Sequence, residues 1–322
     1  MSSIFTISIL QSALELGCIY SLVVLALFIS FSVLNIADLS TDGCFTLGCA
    51  VAAMMTLNGH PLLGLLCAMG AGVISGFITA FLQTRLGVES ILAGIIVNTG
   101  LYTINIAVMG FSSNLNLFRC DSIFTYASDF ITKYMGKGVA DVLVKGGWYR
   151  LIVAALVVIV ISILLSIFLG TRLGLSIRAT GDNAAMVKAS SINPKFMITV
   201  GLCLSSALTA LSGGILAQYQ RSCDINLGTG MVTIALASLI IGETLVGKGT
   251  MFRRILGVIF GSCLYRFIVA VAIRINVPAE CLKLVSALIV AITITSPYVR
   301  ENAKFTRRKY AEMVRRKKGG AR

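Results

Sequence analysis

Apolar residues in this chain fall in long runs, and its polar residues collect in the gaps between them. Runs at residues 62–84, 90–111, 151–169, 196–219 and up to about 273 approach the ~20 residues that a helix needs to cross ~30 Å of hydrocarbon. A shorter run, 282–297, follows them. None alternates with a period of two, as strands of an outer-membrane barrel would. The pattern predicts an all-α protein: a polytopic transmembrane helical bundle of about 9–10 spans, with a range of 8–10.

Residues 4–34 are apolar except for Gln11 and Glu15. One helix of that length would measure ~46 Å, more than an upright span. The expected arrangement is an interfacial helix to about Leu16 and a span from Gly17. Two short spans are the alternative.

Two gaps differ from ordinary loops. Asn35–Gly43 reads NIADLSTDG and precedes a short apolar stretch ending near Leu57. Its small polar residues can cap a helix starting near Thr41, and a short helix after a polar break is expected of a discontinuous membrane helix. A plain aqueous loop is the alternative. Gly230–Ile241 is a second short apolar stretch, ending at Gly242 and Glu243.

These features occur in the same order twice. A span, then Asp38 and Gly43, a short helix, a GxxxG span (Gly72, Gly76), a turn with Val88 and Glu89, and another span form the first unit. A span, then Asp224 and Gly230, a short helix, a GxxxG span (Gly257, Gly261), a turn with Val277 and Glu280, and a last span form the second. The linking span makes the second unit run opposite to the first. Inverted repeats with broken helices at matching places are a transporter signature. The expected organisation is one membrane permease domain over 1–322. It comprises repeat 1 at about 17–111, an external loop 112–147, a linking span 148–170, a cytoplasmic segment 171–196, repeat 2 at about 197–298 and a basic tail 299–322.

Composition supports this picture. The chain has 322 residues, 57% hydrophobic and 12% charged, against about 25% charged in soluble domains. The first Lys or Arg is Arg85, so no cleavable signal with a basic n-region is expected. The net charge of +14 does not point to nucleic acid, because ten of the 27 Lys and Arg lie in residues 300–322. A basic segment beside a final span marks the cytoplasmic side and is drawn to membrane lipid headgroups. Residues 112–147 carry nearly balanced charge and are placed outside, with Trp148 as an interfacial anchor. Residues 171–196 carry Arg172, Arg178, Lys188 and Lys195 against Asp182 and are placed inside. With the tail inside, this is a multi-pass membrane protein with a cytoplasmic C-terminus.

Little suggests catalysis. The single His, His60, and nine Cys without CxxC spacing give no metal site. Cys120 and Cys223 both fall in segments assigned outside, and the sequence does not pair them. Gly242–Lys248 has the G-x4-G-K spacing of a phosphate loop. Gly249, however, stands where Ser or Thr should hold magnesium, and an apolar helix precedes the segment where a strand should. The chain is not expected to be an enzyme.

The motifs then carry a resemblance. Ile177–Asn183 (IRATGDN), Ala189–Asn193 (ASSIN) and the small-residue helix from Leu204 to Ala217 resemble permease subunits of bacterial ABC importers, of the group that includes branched-chain amino-acid and ribose permeases. Asn35–Gly43 with Leu47 and Gly48 resembles that group's first-half motif. The likeness covers about residues 17–298, and Ala189-Ser190-Ser191 departs from it where relatives often have Gly. The resemblance implies a permease, in a bacterial cell (inner) membrane, of an ATP-driven importer of a small organic solute, an amino acid before a sugar or nucleoside. It implies a cytoplasmic ABC ATPase dimer holding ATP and magnesium, a second permease copy as a homodimer, and an external solute-binding protein. It marks Arg178, Gly181, Asp182, Asn183 and Asn193 as ATPase-coupling residues, with Asp182 or Asn183 capping a helix through Ala184–Ala189. Without it, Arg178 and Asp182 read as solvated charges. Candidates for the translocation path are Asn35, Asp38, Ser40 and Asp42 at the first break, then Asn98, Asn105 and Glu243, because polar groups within a membrane often line water-filled cavities. An ion-coupled secondary transporter shares the repeat pattern and remains the rival. Arg266, a charge within a span, has no assigned partner.

Overall fold

The computed structural model describes residues 7–134, 146–247 and 249–274, with positions 284, 287, 288, 291 and 295 of the last apolar run. The turn with Val277 and Glu280, the rest of that last span, Lys248 and the basic tail lie outside the described residues. Among the described residues, six helices are long and apolar enough to cross a membrane. They are α1 (Ile7–Leu27, extended by a π-helical turn at Phe28–Val33), α3 (Pro61–Thr84), α4 (Ser90–Val108), α6 (Trp148–Gly170), α9 (Pro194–Gln220) and α11 (Met251–Arg274). Two shorter apolar helices, α2 (Thr41–Leu57) and α10 (Met231–Val246), occupy the two predicted breaks. Three short helices lie between spans: α5 (Ile123–Tyr134), α7 (Arg172–Asp182) and α8 (Ala184–Ala189).

The first expectation to fail concerns residues 4–34. One continuous helix runs through Gly17, with no separate interfacial piece. The reason is Glu15, which is 3% exposed. Its carboxylate accepts from the Tyr219 hydroxyl at 2.6 Å and from the Gln11 side-chain amide at 2.9 Å. Buried carboxylates are tolerated where donors satisfy them, and here one donor sits 204 residues away.

α1 and α9, the opening helices of the two repeats, form the centre of the bundle and are mostly buried. α9 can be central because its surface is built from small residues. Ser205 Oγ donates to the Ala26 carbonyl and Ser212 Oγ to the Ile19 carbonyl, both on α1. On another face, Cβ atoms added at Gly72 and Gly76 would meet the carbonyl oxygens of Ser206 and Leu202, so α3 packs backbone to backbone against α9. The packing follows the inverted order: α9 lies on α3 as α1 lies on α11, and α2 adjoins α3 as α10 adjoins α11. The two GxxxG pairs are not equivalent, however. Gly257 and Gly261 face Val246, Ser238 and Gly242 on α10, within their own repeat.

Loops assigned to one side of the membrane share one end of the bundle. A two-stranded antiparallel ladder joins β1 (Asn114–Asn116) to β2 (Ser222–Asp224), with Leu115 opposite Cys223. This ladder and α5 were not foreseen. Gln218 ties the same end together, accepting from the Ile123 N–H and donating to the Pro61 carbonyl. Cys120 and Cys223 are both free thiols.

Candidate functional site

The two broken helices meet at their N-termini. Chain 35–40 leaves α1 through Asn35, whose φ is +56°, and returns without helical structure until Thr41. Asp38 shapes this return. Its Oδ1 accepts from the Ser40 N–H at 2.9 Å and the Ser40 hydroxyl at 2.6 Å, and Thr41 Oγ1 donates to the Asp38 carbonyl. From Thr41, α2 runs toward Pro61 and the ladder end. From Met231, α10 runs the opposite way, toward Glu243.

Asp42 joins the two. Its Oδ2 accepts from the Gly230 N–H and its Oδ1 from the Val232 N–H, each at 2.9 Å. A carboxylate in the first turn of α2 therefore caps α10, satisfying donors that no intrahelical bond can reach. Thr46, one turn on, accepts from the Gly228 N–H. Gly228 is closely held, since an added Cβ would fall on the Asp42 carbonyl oxygen.

Beside this junction lies a polar cavity of about 390 Å³, lined by Asp42, Gly43, Thr46, the α4 face Asn98, Thr99, Tyr102, Thr103 and Asn105, and the loop residues Ile225, Asn226 and Thr229. That volume suits a small organic molecule. Asn105 is 1% exposed. Its amide nitrogen donates to the Gly43 carbonyl at 3.1 Å, while its Oδ1 is buried with no hydrogen-bond partner. An unsatisfied buried acceptor is costly, and this one belongs to a residue of the cavity lining.

Three of the path candidates, Asp42, Asn98 and Asn105, thus come together, and four do not. Asn35 is exposed at the end of α1. Asp38 and Ser40 are buried in their own turn, outside the cavity lining. Glu243 lies at the far end of α10, where its carboxylate meets Arg254 at 2.7 Å and accepts from Ser32 Oγ at 2.6 Å. The Arg254 guanidinium also donates to Ser32 Oγ and lies over Phe28 at 5.0 Å. This cluster fastens the π turn of α1 to α10 and α11. Sequence reasoning missed Thr46, Thr99, Tyr102, Thr103, Asn226 and Thr229. The spacing of Asn98, Tyr102 and Asn105 on one face of α4 was the signal available.

Arg266 has a partner of another kind. Its guanidinium lies 3.4 Å over the Tyr20 ring, which in turn stacks on Phe45. This is a cation–π contact, and Arg266 has no ion pair among the described residues.

At the Glu243 end lies the segment 171–196. Thr171 caps α7, Asn183 caps α8 by accepting from the Ala185 and Met186 N–H groups, and Asn193 caps α9 through the Lys195 N–H. Of the two candidates for the α8 cap, Asn183 is the one used. α8 buries only Val187, while Met186 is 58% exposed, so the helix presents nearly its whole surface outward. Arg178 is half-buried and Asp182 exposed. Gly181 touches the span itself: an added Cβ would fall on the Val33 carbonyl oxygen at the end of α1.

The fold and site therefore define a class, a multi-pass α-helical membrane protein with two opposed half-helices that meet beside a polar cavity. Residues 9–294 match the family model described as the branched-chain amino acid transport system / permease component. The chain belongs to that family, and it is a permease subunit of an ABC transporter, a pore-forming and non-enzymatic component. It is 30% identical over 308 residues to the tyrosine transport system permease protein of Clostridioides difficile, covering 95% of this chain and 97% of that one. It is 25% identical to the galactofuranose transporter permease protein of Escherichia coli over 79% of this chain and 69% of the relative. It is also 25% identical to the ribose import permease protein of the same species, over 72% and 67%. No solved structure matches the chain. Gly242, the first glycine of the G-x4-G-K segment, packs against the Gly257 carbonyl inside the helical bundle.

Proposed function

We propose that this chain is the permease of an importer that carries an amino acid, and that the solute passes the cavity between α2, α4 and residues 225–229. The observation that carries the reading is the unpartnered Asn105 Oδ1 beside the Asp42 carboxylate, on a polar cavity where two half-helices meet. Both are acceptors, suited to an ammonium group. Tyr102 on the same wall offers a flat apolar face, in keeping with a relative named for tyrosine transport. Hydroxyl-rich solutes would also find partners among Asn98, Thr99 and Asn226, and two relatives are named for sugars. The carboxylate favours the amino acid.

The end bearing α7, α8 and Arg254 faces the cytoplasm in this reading, supported by its basic charge. α8 and the caps at Asn183 and Asn193 seat in an ATPase, which holds ATP and magnesium, and a second copy of the chain and a solute-binding protein complete the importer. Gly181 against α1 transmits the ATPase's movement as a rigid-body push. An ion-coupled carrier would need neither α8 nor a partner ATPase.

The test is uptake in proteoliposomes holding the permease, its ATPase and its binding protein. ATP-dependent amino-acid uptake is expected, with Asn98→Ala and Tyr102→Ala lowering it about tenfold at unchanged subunit amounts. Uptake driven by a sodium or proton gradient without ATP would overturn the importer reading. ATP-driven uptake of a sugar but no amino acid would overturn the solute.

A further inference from the structure

A second cavity, of about 530 Å³, lies between the end of α3 and the start of α9, at the end of the bundle that carries α7 and α8. Its upper rim is cationic, with Arg85 from the loop after α3 and Lys195 from the first turn of α9. Neither side chain has a carboxylate partner among the described residues. Below the rim the wall is aromatic. Phe81 and Phe77 lie one and two turns deeper on the Arg85 face of α3, their rings 6.4 Å apart, and Phe196 flanks them from α9. All three rings are exposed.

Thr84 and Thr199 also line the cavity, but their hydroxyls donate to the carbonyls of Ala80 and Lys195 on their own helices. The donors left for an anion are the guanidinium, the ammonium and the side-chain amide nitrogen of Asn193, whose Oδ1 accepts from the Lys195 N–H. Eight residues of helix put Phe77 ~12 Å from Arg85 along α3, well inside the depth of a hydrocarbon core. A soluble protein docking at the membrane surface would reach the rim and leave that wall uncovered. A molecule with an anionic head and a long apolar chain covers both.

We propose that this groove is a binding site for an anionic phospholipid, its phosphate held between Arg85 and Lys195 and one acyl chain lying along Phe77 and Phe81. Basic pockets between transmembrane helices bind acidic headgroups in this way, and each cation near the surface contributes roughly a fivefold preference. The site adjoins the segment read above as ATPase-coupling, because Lys195 follows the Asn193 cap by two residues. The inference rests on that reading only for the side of the membrane. Lipid binding and transport are measured separately, so either can fail alone.

The test uses the full chain in bilayers, with Trp148→Phe removing its one tryptophan and Phe81→Trp placing a reporter in the groove. Quenching by brominated-chain phosphatidylglycerol is compared with quenching by brominated-chain phosphatidylcholine. A preference of about tenfold or more for phosphatidylglycerol is expected. It should fall to near unity in Arg85→Gln/Lys195→Gln, with phosphatidylcholine quenching unchanged as a sign of intact folding. Equal quenching by both lipids in the parent, or a preference that survives the double substitution, would overturn the site. Loss of the preference on adding millimolar inorganic phosphate would assign the cations to a free anion and likewise overturn the lipid.

Discussion

Asp42 and Val232 are 190 residues apart in sequence, and the carboxylate of the first accepts from the N–H of the second at 2.9 Å. With the matching bond from Gly230, one side chain holds the two half-helices end to end. The half-buried carboxylate neutralises the positive end of α10, leaving acceptors on the cavity wall.

Replacing Asp42 should therefore cost both stability and transport. Asp42→Ala leaves two backbone donors without partners, and bonds to a charged acceptor contribute about 1.5–3 kcal/mol each. A loss of about 2–4 kcal/mol is expected, read as a lower melting temperature of the detergent-purified subunit. Asp42→Asn should fall between, because its amide presents one acceptor and one donor to two donors. Equal melting temperatures for Asp42→Ala and the parent would remove the capping role.

Glycine contacts between α2 and α9 give a second prediction with an internal control. Cβ atoms added at Gly48 and Gly213 would fall on the carbonyl oxygens of Ala210 and Phe45, so the two helix backbones touch at both places. Gly48→Ala and Gly213→Ala should each destabilise by about 1–3 kcal/mol or more and reduce the amount of subunit in membranes. Gly70, on the outer face of α3, has open space within 4 Å, so Gly70→Ala should be neutral or slightly stabilising. Immunoblotting of membrane fractions at 30 and 42 °C separates these outcomes.

Apolar length and turn residues made the elements legible. The first short helix begins at Thr41 and ends at Leu57, where NIADLSTDG and Asn58-Gly59-His60-Pro61 punctuate the chain. Helix pairing was partly legible, because the repeated order of features matches the packing of α1 on α11 and α9 on α3. The site was less so. Asp38 and Asp42 look alike in sequence, four residues apart in one polar gap. One serves its own turn and the other reaches across to Gly230. Glu15 was misjudged for the same reason, since its donor Tyr219 comes from the far end of another helix. Local pattern says where a polar group interrupts an apolar run. Which distant donor satisfies it depends on packing.

The Glu243–Arg254 pair yields a third prediction. Both side chains are about one-fifth exposed, so the contact is screened less than a surface pair. A double-mutant cycle with Glu243→Gln and Arg254→Gln should return a coupling energy of about 1–2 kcal/mol. Arg254→Gln alone should be the more damaging, because it also removes the donor to Ser32 and the contact over Phe28. Additive effects on melting temperature would show that the pair contributes nothing beyond its separate bonds.

The segment between α6 and α9 yields a fourth prediction, on its proposed contact with the ATPase. Asn183→Ala removes the two bonds that start α8, a loss of about 0.5–2 kcal/mol confined to a six-residue helix. Asp182→Lys and Arg178→Glu reverse charges beside it. Gly181→Ala acts differently, since its added methyl would force α7 off the Val33 carbonyl. The first three should insert in the membrane at parental levels, while Gly181→Ala, whose clash is as close as those at Gly48 and Gly213, is compared at equal amounts of inserted subunit. The first three should weaken capture of the ATPase, seen as less ATPase co-purifying with the tagged permease. Gly181→Ala should still bind the ATPase yet lose at least about tenfold of the stimulation that solute-loaded binding protein gives to ATP hydrolysis, because its lesion lies between α8 and α1. Parental stimulation in Gly181→Ala would show that the push reaches the spans by another route, the continuous chain from α8 through the Asn193 cap into α9.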